Sequence, residues 1–283
     1  MKLQTKQYNS FLAKPYSPVV GAEIYGLDLT NPLTEQQYAD VQDAFLTYQV
    51  LFFKEQQPLH PAAQIEFGKH FGELYVHPAK VPGIADYPEI IRIYADENST
   101  VANGDVWHTD VTFEETPPKI TMLQMQLIPD TGGDTCFSNT YAAYDNLSDP
   151  IKKLCDGLTQ RVSMNGYFNN RYKERGVDNK DIEETAPVDH PVIRTHPETG
   201  RKAIFVNRPF TECINGLSKD ESKSILNILF NACERPQNQI RYRWSINDIA
   251  MWDNRCLMHI AMFDYFPHRR SGHRITVIGD KPF

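Results

Sequence analysis

Residues 240–278, IRYRWSINDIAMWDNRCLMHIAMFDYFPHRRSGHRITVI, decide the fold class. Four segments rich in β-branched, aromatic and aliphatic residues, 240–244, 249–252, 257–262 and 274–278, follow one another closely. Short polar or turn-forming stretches such as SIND and WDNRC separate them. Strands so short and so frequent leave no room for the helical crossovers that parallel strands need. They predict antiparallel pairing in a sandwich or barrel.

The same pattern recurs upstream. Strands are expected at 90–94, 120–128, 135–138, 192–195 and 203–207, with His196-Pro197-Glu198-Thr199-Gly200 turning the chain between the last two. Helices are fewer. Thr34-Glu35-Gln36-Gln37 has the form of a capping box, in which a hydroxyl and a side-chain amide serve free N–H groups at a helix start. That helix should lead into an apolar strand at 49–53. A second is expected at 61–71, and a third is capped by Ser218-Lys219-Asp220-Glu221, with Ile225, Leu226, Leu229 and Phe230 on its apolar face. No repeat, charge block or Gly/Ser linker marks a boundary, so residues 1–283 are expected to form one domain, mainly β with added helices.

The 283 residues carry 29 Lys plus Arg against 36 Asp plus Glu, a net charge of −7. A nucleic-acid partner calls for a dense basic surface, so small metabolites are the better match. No segment has the length or apolarity of a membrane span, and MKLQTKQYNSFLAK lacks a signal-peptide core; a soluble, cytoplasmic protein is expected. Five scattered cysteines without a C-x-x-C pair fit reduced thiols. A strand followed by G-x-G-x-x-G is absent, which removes the main support for a nucleotide cofactor.

Chemistry is carried by Trp107-His108-Thr109-Asp110. In an extended segment, residues i and i+2 project from one face, so His108 and Asp110 can approach one ion. Imidazole nitrogen and carboxylate oxygen suit a divalent iron, and a second histidine would complete three ligands on one side, leaving positions open. His259 is the candidate for that histidine. Eleven residues later comes Arg270, and Arg274 follows. A guanidinium keeps its charge when buried and offers a rigid fork to an oxyanion, so two of them near one metal imply two anions.

These motifs carry a resemblance. GAEIYGLDLTNPL, FGELYVHP, WHTDVTFEETPP, TGGDT, HPVIRTHPETGRKAIFVN, NDIAMWDNR and HRITVIGDKPF, in this order across the chain, resemble the taurine dioxygenase branch of the iron(II)- and 2-oxoglutarate-dependent oxygenases. The resemblance implies a double-stranded β-helix, the jelly roll. It implies iron(II) held by His108, Asp110 and His259, with 2-oxoglutarate as cosubstrate whose distal carboxylate meets Thr135 and Arg270. His77, the backbone of Val111 and Arg274 correspond to sulfonate-binding positions, and Phe168 and Phe210 to aromatic residues enclosing the substrate. The implied reaction converts taurine, dioxygen and 2-oxoglutarate into sulfite, aminoacetaldehyde, succinate and CO2. A homo-oligomer is the family's usual assembly.

The chain departs from the family at the amine end of the substrate. Lys80 stands where the family has a tyrosine, and Gly104, beside Asn103, where it has an asparagine. Lys80 either faces solvent or opposes an ammonium group, in which case another alkyl sulfonate or a small oxyanion compound is preferred. Two further classes compete. A zinc hydrolase can use the same three ligands, but it gives no role to Arg270 or Thr135. A non-catalytic jelly-roll binding module has no need of an intact ligand set.

Overall fold

The computed structural model describes residues 2–77, 83–84, 86–99, 104–164 and 186–283. The larger layer is a nine-stranded sheet with the order Lys6–Gln7, Leu12–Pro15, Ala22–Tyr25, Val50–Phe53, Ile249–Asp253, Ile120–Leu127, Arg270–Val277, Tyr87–Ala95 and Gly83–Ile84. Every pairing is antiparallel except Ala22–Tyr25 beside Val50–Phe53. Facing it is a three-stranded sheet in which Thr135–Asn139 lies between Gln239–Tyr242 and Leu257–Ala261. The arrangement is the jelly roll expected from the sequence.

The central strands are apolar on both faces because both faces are covered. Leu51, Phe53, Ile120, Met122, Ile249, Met251, Ile275 and Val277 pack against the helices Glu35–Tyr48 and Pro61–Lys69. The alternate residues Val50, Phe52, Leu123, Met125, Ala250 and Trp252 meet Phe137, Ile240, Tyr242 and Trp244 between the layers. Side chains alternate along a strand, so even-numbered residues of Arg270–Val277 point inward with the second set. Arg270 and Arg274 therefore share the inner face, four residues apart.

Both capping boxes form. The Thr34 hydroxyl accepts from the Gln37 N–H and the Gln37 side chain accepts from the Thr34 N–H; Ser218 and Glu221 do the same at Lys219–Cys233. Such a cap contributes about 1 kcal/mol. Leu226, Leu229 and Phe230 are buried on the outer side of the smaller sheet with Val192, Ile204 and Met258, while Ile225 is partly buried. Burial of each large side chain is worth roughly 1.5–3 kcal/mol. Gln49, expected as the first residue of a strand, instead ends the first helix in a left-handed turn, φ 64°, and the strand begins at Val50. The strand expected at 274–278 starts four residues earlier, at Arg270. All five cysteines are free thiols, and no helix among the described residues is long and apolar enough to cross a membrane.

Candidate active site

His108 and Asp110 do not lie in a regular strand. His108 makes a single antiparallel bridge with His259, each backbone N–H donating to the other's carbonyl at 3.0 and 2.8 Å. Two residues on, the chain turns sharply. Val111 takes φ 51°, a left-handed conformation that costs a β-branched residue about 1–3 kcal/mol. The extended-strand expectation is thus met for one residue only. The backbone bridge brings the two histidines together from segments 151 residues apart in sequence, and the turn carries Asp110 beneath them.

The donor atoms of His108, Asp110 and His259 all lie within 4.8 Å of one another. Asp110 Oδ1 is 3.6 Å from His108 Nε2 and 3.8 Å from His259 Nε2. His108 Nδ1 is 2.8 Å from the Val106 carbonyl, an acceptor, so Nδ1 carries the proton and Nε2 keeps its lone pair for an ion. Burial, followed by the neighbouring His108, pushes His259 down to about 3, so its imidazole is neutral near pH 7. Burial on its own would raise the Asp110 carboxyl. The Arg274 guanidinium and the two imidazoles override that and hold it well below the usual carboxylate range. Two imidazoles and one carboxylate, held close together, are a donor set that fits iron(II).

The surrounding cavity encloses about 170 Å³. Arg270 enters it almost fully buried. Its Nε donates to the Gly133 carbonyl at 3.1 Å, and its Nη2 has no hydrogen-bond partner among the described residues. Gly133 has φ +71°, and a Cβ there would come within 3.2 Å of Arg270 Cδ, so the glycine of TGGDT admits the arginine. Thr135 lines the same cavity, and its Oγ1 accepts from Trp244 Nε1 at 3.0 Å. An indole can only donate, so the Thr135 proton is left to point elsewhere. A buried cation with an unmet donor beside a hydroxyl is a receptor for a carboxylate, which fits the distal end of 2-oxoglutarate.

Arg274 occupies the other side. Its Nη1 is 3.3 Å from Asp110 Oδ1, and its Nε has no partner among the described residues. His77, Val111 and Phe210 line the cavity with it, and the Phe210 ring meets Phe113 edge-on at 5.3 Å. Ile91, Ile93, Val106, Phe113 and Pro209 complete an apolar wall. Gly104 is also at the lining, with φ +81°. A side chain there would press on His108 Cε1 at 3.2 Å. Phe168, Lys80 and Asn103 lie outside the described residues. Sequence reasoning passed over Thr121, whose hydroxyl donates to Asp110 Oδ2 at 2.7 Å, because a threonine inside an apolar strand carries no signal of its own.

Comparison with known proteins agrees with this geometry. The family described as "Taurine catabolism dioxygenase TauD, TfdA family" matches residues 12–276. An alkylsulfatase of Acinetobacter baylyi is 36% identical over 269 residues, covering 92% of this chain and 83% of its own. An alpha-ketoglutarate-dependent sulfate ester dioxygenase of Pseudomonas putida is 33% identical, covering 95% and 89%. The crystal structure of a putative alpha-ketoglutarate-dependent taurine dioxygenase from Burkholderia xenovorans superposes with a TM-score of 0.83 at 34% identity, covering 96% of this chain and 94% of that one.

Proposed function

We propose, from the premise that this chain belongs to the TauD, TfdA family of iron(II)- and 2-oxoglutarate-dependent dioxygenases, that it oxidises the carbon next to the sulfur oxyanion of an alkyl sulfonate or alkyl sulfate ester. His108, Asp110 and His259 hold the iron. Arg270 and Thr135 orient 2-oxoglutarate, and Arg274, with His77 and the Val111 backbone, receives the sulfonate or sulfate group. Iron(II), with 2-oxoglutarate and dioxygen, supplies the oxidising power that inserts one oxygen atom into a C–H bond. The residues supply position. Two arginines on one strand face fix both anions relative to the ion, and the apolar wall keeps water from the reacting carbon. A hydroxyl on the carbon bearing the oxyanion makes the product unstable. The C–S bond of a sulfonate then breaks to give an aldehyde and sulfite, and the C–O bond of a sulfate ester to give an aldehyde and sulfate. Succinate and CO2 complete the balance.

The observation that carries this reading is the pairing of Arg274 with an apolar wall. Among the described residues lining the cavity, Asp110 is the one carboxylate, and it belongs to the metal site. A taurine ammonium needs an acceptor to replace its water shell, and desolvation without one is costly. At Gly104 the backbone leaves no strain-free place for a side chain. These features favour a neutral tail. Taurine remains the second reading, supported by the His77, Phe210 and Arg274 set. The test is product release, sulfite or sulfate, from taurine, a pentyl sulfonate and a hexyl sulfate, each with iron(II), 2-oxoglutarate and air. A specificity constant for the neutral-tailed compounds at least tenfold above taurine is expected. Taurine turning over faster than both would overturn the choice of tail, and no sulfur oxyanion release from any of the three would overturn the substrate class.

A further inference from the structure

Asp110 Oδ2 accepts from Thr121 Oγ1 at 2.7 Å, Thr121 Oγ1 accepts from Asn254 Nδ2 at 2.8 Å, and Asn254 Oδ1 accepts from Trp252 Nε1 at 3.1 Å. All four residues are 3% exposed or less. The direction of this chain is forced from its far end. An indole N–H can only donate, so the Asn254 amide must present its oxygen to Trp252 and its NH2 to Thr121. The Thr121 oxygen then has a donor pointed at it, and its single proton goes to Asp110. The fold sets up the geometry twice. Asn254 opens the turn that follows the strand Ile249–Asp253, two residues after Trp252, and Thr121 pairs across the sheet with Trp252. Oδ2 is thereby occupied, and Oδ1 is the oxygen that faces His108 and His259.

We infer that Thr121 and Asn254 are positioning residues for the metal centre: with Trp252 they form a one-way hydrogen-bond relay that holds Asp110 to single-oxygen coordination through Oδ1. The inference rests on Asp110 being a metal ligand. Single-oxygen ligation conserves open positions on the ion, which a two-point cosubstrate and dioxygen both require. A carboxylate free to swing would take a second position with Oδ2. Partners of this kind are typically worth about 10–100-fold in metal affinity.

The test compares Thr121→Val, Thr121→Ser, Asn254→Asp and Asp110→Ala in the full chain. Calorimetric titration with cobalt(II) reads affinity, and the visible charge-transfer band of the iron(II)–2-oxoglutarate complex under nitrogen reads coordination. Thr121→Val keeps the shape and loses the proton. Asn254→Asp keeps the bond from Trp252 but turns an acceptor toward Thr121, so two carboxylates compete for one hydroxyl. Both are expected to weaken cobalt(II) binding about 10–100-fold and to shift the band, whereas Thr121→Ser, which restores the hydroxyl, should stay within about threefold with the band in place. A structural role alone would lower the melting temperature and leave the band unmoved. Wild-type affinity and band in both Thr121→Val and Asn254→Asp would overturn the relay, as would a serine variant as weak as the valine one. If Thr121→Val does not fold, Asn254→Asp decides by the same criteria. Asp110→Ala separates the two levels: wild-type cobalt(II) affinity there removes the ligand assignment itself, while loss there with no effect of the relay variants removes only the relay.

Discussion

Arg270 and Arg274 stand four residues apart on the same face of one strand, yet they meet different surroundings. Arg270 is buried against a single backbone carbonyl, with no carboxylate within salt-bridge reach among the described residues. Arg274 is more open, its side chain 19% exposed, and shares the metal-site carboxylate Asp110. Its charge is already partly answered before any substrate arrives. A cation held without a counterion is a receptor waiting for an anion, because only that anion repays its desolvation. A cation that shares an acid with a metal site links two events. Under the proposed function, the identical residue type would serve a dedicated cosubstrate pocket at one end and a substrate site coupled to the metal at the other.

The broadest way to break this comparison is to remove what the two ends share. His108→Ala, Asp110→Ala and His259→Ala should each abolish the charge-transfer band and lower turnover by about 1,000-fold or more, since neither arginine can then place its anion against an ion. Anaerobic absorption and product release check this. Full activity in any one of them removes that residue from the ligand set.

Exchanging each guanidinium for an ammonium separates the ends. Arg270→Lys loses the fork and should raise the KM for 2-oxoglutarate about 10–100-fold while leaving the KM for the sulfur compound within about threefold. Arg274→Lys should do the reverse. Steady-state kinetics with each substrate varied in turn decides it, and crossed results would mean the two roles are exchanged. A finer probe of the Arg270 end is Thr135→Val. It removes the hydrogen bond proposed between Thr135 and the cosubstrate, worth about 1 kcal/mol, and should raise the KM for 2-oxoglutarate roughly fivefold. The serine variant should recover it.

A separate probe concerns pH. Burial pushes His259 down to about 3 from an ordinary value near 6.5. Its folded pKa is lower than its unfolded one, so the unfolded chain binds the proton first. The resulting stability is present above about pH 6.5 and is withdrawn as pH falls toward 3. Thermal melting of the metal-free protein should accordingly be insensitive to this residue at pH 7–8 and decline in acid. His259→Gln should flatten part of that decline. An unchanged slope would show that His259 titrates near its ordinary value.

Much of this was legible in the primary structure. Both capping boxes, the apolar face of the helix Lys219–Cys233 and ten of the seventeen strands among the described residues follow from local pattern, since helix ends and alternation are set by near neighbours. Short strands such as Leu12–Pro15, Ala22–Tyr25 and Thr211–Ile214, and the short helices Thr140–Asp145 and Asp149–Cys155, were not anticipated. Other details also differ. Gln49 leaves the strand for a left-handed helix cap, the strand holding the arginines begins at Arg270, and His108 pairs through one isolated bridge. In each case a distant partner strand or an abrupt turn overrides the local preference.

The division is clearest within the site. The sequence alone determined which groups are available: two imidazoles, a carboxylate, two guanidiniums at even spacing and the glycines of TGGDT. Residue type and strand period suffice for that. Only the tertiary structure decided that Arg270 has an unmet donor while Arg274 leans on Asp110, and that Thr121 takes a proton-donating place behind the carboxylate. A hydrogen bond's direction depends on every partner at once. The partner that fixes this one, the Trp252 indole, reaches Asp110 through Asn254 and a threonine 133 positions earlier in the chain.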